Sequence, residues 1–115
     1  MDVLFQALVE NSADAVVLID ADGTIRFASE SSARVLGYPP ATRLGGNAFD
    51  NLHPDDETRA RAVFAEILQQ PGVPVSSEYR LRHQDGTWRD IEAVAVNRLN
   101  EPAVRGIVIN YRDIT

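Results

Sequence analysis

The chain has 115 residues, of which 44% are hydrophobic and 24% charged, with a net charge of −6; this balance specifies a single water-facing domain rather than a disordered, collagen-like or membrane chain. There is no cysteine and no lysine, and all 11 basic residues are arginine. That composition excludes disulfides, thiolate metal sites, cysteine nucleophiles, Schiff-base chemistry and the phosphate-loop lysine.

The acidic balance also disfavours nucleic acid and anionic membrane as partners. Only Arg80, Arg82 and Arg89 come near to clustering, and Glu78, Asp85, Asp90 and Glu92 interleave with them. No apolar run reaches the roughly 18 residues of a membrane span, and no charged-then-apolar leader opens the chain, so a cytoplasmic location is expected.

In chain order, Leu4, Phe5, Leu8 and Val9 form an apolar stripe on a short helix capped by Asp2, taken as an N-terminal helix over residues 1–12 ahead of a domain over 13–115. The stripe is the expected interface of a homodimer. Residues 15–20 read as a buried strand, Ala21-Asp22-Gly23 as a tight turn and residues 24–28 as an alternating strand. Ser29 is the expected N-cap of a helix over residues 31–36, stopped by Gly37 with Pro39-Pro40 beyond.

Residues 41–51 carry no clear period, with Leu44, Phe49 and Leu52 as expected anchors. The clearest helix follows. His53-Pro54-Asp55-Asp56-Glu57 supplies caps and first-turn negative charge, and Ala60, Val63, Phe64, Ile67 and Leu68 recur at helical spacing until Pro71-Gly72. Three strands close the chain: residues 75–82, then 88 to about 99 after an Asp85-Gly86 turn, then about 104–112 after Asn100-Glu101-Pro102. Two strands, a helical middle and a three-stranded meander specify an α+β architecture.

Particular words in this order resemble the PAS family of sensory domains. They are Asp20-Ala-Asp-Gly23, Phe27-Ala-Ser-Glu-Ser-Ser-Ala-Arg-Val-Leu-Gly-Tyr38, His53-Pro-Asp-Asp56, Arg82-His-Gln-Asp-Gly-Thr-Trp-Arg89 and Asp113-Ile-Thr115. The resemblance implies a five-stranded antiparallel sheet of order 2-1-5-4-3 with helices packed on one face to form a pocket. It also implies a sensory or relay module of a larger signalling protein, coupled to an effector in the same chain such as a histidine kinase or a cyclic-nucleotide enzyme, and working by ligand binding or by ligand-free dimerisation. Such modules are rarely enzymes. Where the family often carries Asn, this chain has Ser29.

The candidate sites divide along the same lines. The carboxylates after His53 suit a helix start better than a metal, and placing Gly23 at the sixth position of a calcium loop puts Leu18 where a carboxylate is required. Neither His53 nor His83 has a nucleophile motif around it. Haem is disfavoured because residues 58–70 hold no histidine, and thiol-adduct flavin because there is no cysteine. The expected pocket residues are Phe27, Leu36, Leu52, Phe64, Tyr79, Ile107, Ile109 and Tyr111. A buried Tyr79 or Tyr111 hydroxyl needs a partner that a ligand or water can supply. Asp113 and Thr115, both helix-capping residue types, are the expected signal exit.

Overall fold

The computed structural model describes residues 14–115, so the dimer stripe at Leu4, Phe5, Leu8 and Val9 lies outside the described residues. Five strands, β1 (Ala15–Ile19), β2 (Ile25–Ala28), β3 (Val75–Arg82), β4 (Trp88–Arg98) and β5 (Gly106–Asp113), form one antiparallel sheet in the order β2-β1-β5-β4-β3. Between β2 and β3 run the helices α1 (Glu30–Leu36), α2 (Pro40–Arg43) and α3 (Glu57–Gln69), the last preceded by a 3-10 turn over Pro54–Asp56. Among the described residues no helix is long and apolar enough to cross a membrane.

The core lies between the helices and one face of the sheet. Ile19, Ile25, Leu36, Ile91 and Ile107 are almost wholly buried there. Val16, Leu18, Val104 and Val108 make a second cluster on the other face. A shift in the β1–β2 register between Leu18 and Ile19 decides the fate of Phe27. Ile25 pairs with Ile19 while Phe27 pairs with Leu18, leaving Arg26 as the extra residue. A bulge of this kind reverses the alternation of side chains, so Phe27 packs with the second cluster and not in the pocket where strict alternation put it.

Gly37 ends α1 as expected, at φ 83°, with its N–H donating to the Ala33 carbonyl at 2.7 Å. A Cβ here would meet the His83 ring at 2.8 Å, so both the left-handed backbone and the close approach require glycine. Pro40, expected only to stop α1, also opens α2 at its first turn, where a missing N–H costs nothing. Leu44 is half exposed and anchors nothing. The last strand begins two residues later than expected, because Arg105 sits at φ 51° in the turn.

Ser29 is not the side-chain cap expected from sequence. Its hydroxyl makes no bond to the start of α1 and instead accepts the Val16 N–H at 3.0 Å, while the Ser29 N–H donates to the Val16 carbonyl at 2.8 Å. Both groups are buried, so Ser29 fastens the start of α1 to β1. Ser29→Ala orphans the Val16 N–H, and urea unfolding is expected to show a loss of about 1–3 kcal/mol. A change within about 0.5 kcal/mol, the range of ordinary surface substitutions, would show that the bond carries no weight.

Candidate functional site

The antiparallel register sets small residues side by side on the inner face. Ala93 lies between Tyr111 and Ser77, and Ala95 lies between Ile109 and Val75. Two alanines and a serine cannot fill the space that α3 spans above them, and a cavity of about 110 Å³ remains. Val17 and Ile19 of β1, Tyr79 and Leu81 of β3, and Ile91 of β4 complete its floor. Ala60, Val63, Phe64 and Ile67 of α3 roof it, and Arg43, Ala48, Phe49 and Leu52 close the side.

The roof is positioned by aromatic and polar contacts. Phe49 meets Phe64 edge-to-face with ring centroids 5.4 Å apart, and Leu52 pairs with Leu81 at the end of β3. The His53 N–H donates to the Arg80 carbonyl and the Arg82 N–H to the Asn51 carbonyl, both at 2.9 Å, so residues 51–53 cover the free edge of β3.

Asp56 does not cap α3. Its carboxylate accepts the Arg80 N–H at 2.8 Å, Nε at 3.1 Å and Nη2 at 2.8 Å. The Arg80 hydrogen bonds hold its carboxyl far below the ordinary aspartate range. His53 Nδ1 accepts the Asp55 N–H at 3.0 Å and so caps the 3-10 turn that precedes α3.

Of the eight expected pocket residues, Leu52, Phe64, Tyr79, Ile109 and Tyr111 line the cavity. Leu36 and Ile107 are fully buried core beyond its walls, and Phe27 lies on the opposite face. Among the lining residues not expected from the sequence, Arg43 is the charged one. Its Nη1 and the Tyr111 hydroxyl are the buried side-chain polar atoms that have no hydrogen-bond partner among the described residues. Burial pushes the Tyr111 phenol up, opposed by the charge and the hydrogen-bonding N–H groups of Arg43 and by the Ser32 hydroxyl beside it. A second, polar concavity is lined by Asp56, Arg59, Glu78, Arg80 and Asp90, and in its wall Asp56 pairs with Arg59 and Arg80.

At the end of β5, Asp113 and Thr115 are tied to the start of β4. Asp113 Oδ1 accepts the Thr115 N–H at 2.8 Å, Thr115 Oγ1 accepts the Asp90 N–H at 2.9 Å, and the Ile114 N–H donates to the Asp90 carbonyl at 2.8 Å. Arg89 adds an ion pair to Asp113 at 3.5 Å. Hydrogen bonding from Thr115 lowers the Asp113 pKa.

The solved PAS domain of a Colwellia psychrerythraea protein superimposes with a TM-score of 0.83 and 26% identity, covering 99% of this chain and 98% of that one. A domain of a sensory box sensor histidine kinase/response regulator from Geobacter sulfurreducens gives a TM-score of 0.77 at 23% identity, covering 96% and 91%. The Aryl hydrocarbon receptor nuclear translocator homolog of Drosophila melanogaster is 29% identical over 87 residues, 74% of this chain and 14% of that protein. The chain spans no more than 20% of the length of the curated relatives it matches. A family model described as the PAS fold matches residues 25–108, well over half of the chain, and the chain belongs to that family.

Proposed function

We propose that this chain is a sensory relay module of a larger cytoplasmic signal-transduction protein, without catalysis of its own. In this reading the cavity under α3 takes a small ligand, and β5 carries its effect to an effector domain. One observation carries it: Tyr111, on the cavity wall, lies two residues before Asp113, whose side chain organises the chain end. A ligand that moves Tyr111 therefore acts directly on the Asp113–Thr115 anchor.

Asp113→Ala in the full-length protein is expected to change basal output and to remove the difference between stimulated and unstimulated states. The isolated domain should lose only about 1 kcal/mol, as for a lost capping bond. Output unchanged in both states would sink the relay. Native mass spectrometry of freshly purified protein tests the ligand directly, and a clean apo mass moves the reading to a ligand-free dimerisation domain.

A further inference from the structure

We propose that the cavity selects a small apolar monocarboxylate, its head held between Arg43 Nη1 and the Tyr111 hydroxyl and its hydrocarbon body against Ala93, Ala95 and Phe64. This rests on the ligand-binding reading above and names the class of ligand.

The two buried polar atoms without a partner both belong to residues lining this one cavity. Both are donors. A guanidinium only donates, and burial raises the Tyr111 pKa, which keeps the phenol protonated at neutral pH. Unpaired buried donors carry a desolvation penalty that a bound acceptor removes. The charge selects among acceptors. Arg59, Arg61 and Arg80 each pair with a carboxylate, whereas Arg43 has no acidic partner among the described residues. No acidic side chain lines the cavity either, so an amine is repelled and an anion attracted.

The rest of the wall sets the body of the ligand. Apart from the Ser77 and Tyr79 hydroxyls it is hydrocarbon and aromatic, which suits neither a sugar nor a polyol. An apolar cavity of about 150 Å³ holds benzene, so about 110 Å³ accommodates a body of about four or five carbons.

The test uses isovalerate and its neutral isostere isovaleramide, titrated into the 115-residue chain and followed by amide NMR shifts at Ala93 and Tyr111. Isovalerate is expected to bind about tenfold more tightly than the amide, the worth of one charge-assisted hydrogen bond. Arg43→Gln should erase that preference. Tyr111→Phe should weaken the acid by about fivefold while keeping the fold, since it leaves the ring and its packing in place. Ala93→Leu should abolish binding of both compounds by filling the floor.

Equal binding of acid and amide, or a preference that survives Arg43→Gln, overturns the carboxylate assignment and leaves the ligand-binding cavity standing; equal binding is also what a mere water bridge between the two donors predicts. Absence of binding by both compounds overturns the assignment together with the cavity reading.

Discussion

Asp56→Ala is expected to lower folding stability by about 2–3 kcal/mol, measured by urea unfolding at neutral pH. The carboxylate is buried and accepts three hydrogen bonds from Arg80, one of them from the backbone N–H on the outer edge of β3. Removing it leaves that N–H and a guanidinium without their acceptor. The Arg80 side chain is 40% exposed and can turn to water, which keeps the loss at the lower end of what breaking a buried pair costs.

The pH dependence separates this clamp from simple packing. The folded pKa of Asp56 is depressed, so its stabilisation is fully present above the unfolded value of about 3.9 and declines as pH falls from there toward the folded value. The gap between parent and Asp56→Ala should therefore narrow below about pH 4. A gap that stays constant down to pH 3, or a neutral-pH loss under about 0.5 kcal/mol, would falsify the clamp.

This clamp shows where the sequence was silent. The acidic run after His53 is fully explained by the positive end of α3, and nothing local says that Asp56 turns away to a strand 24 residues on. The strands, their turns and the long helix were legible because each has a period or a turn signal within its own span. The sheet order came from the resemblance, since periodicity gives only the order of elements along the chain. Five cavity residues were legible as inward-facing apolar positions. Phe27 was misplaced because a one-residue bulge is invisible in an alternating pattern. Arg43 was missed because residues 41–51 have no period, and the cavity floor was missed because Ser77, Ala93 and Ala95 become neighbours only through strand register.

Asn97 pins the other end of α3, and Asn97→Ala is expected to cost about 2–3 kcal/mol. Its amide is buried. Nδ2 donates to the carbonyls of Ile67 and Leu68 at 3.2 and 3.3 Å, and Oδ1 accepts the Leu99 N–H at 2.9 Å. Those two carbonyls belong to the last turn of α3, where the Ile67 carbonyl also accepts the Gln70 N–H at 3.2 Å. Asp56 at one end and Asn97 at the other therefore hold α3 to β3 and β4, while its middle, Val63 and Phe64, rests on the cavity. Loosening the Asn97 end should speed amide exchange in the last turn of α3 more than in β5, because the strand keeps its ladder to β1 and β4. Asn97→Asp is the sharper variant. At neutral pH a carboxylate faces two carbonyl oxygens with nothing to donate, so it should be more damaging than Ala. Acidification protonates that buried group and restores one donor, so part of the loss should return as pH falls, opposite in sign to the Asp56 effect. If exchange in the last turn of α3 is unchanged in both variants, the roof is held by its apolar packing and not by Asn97.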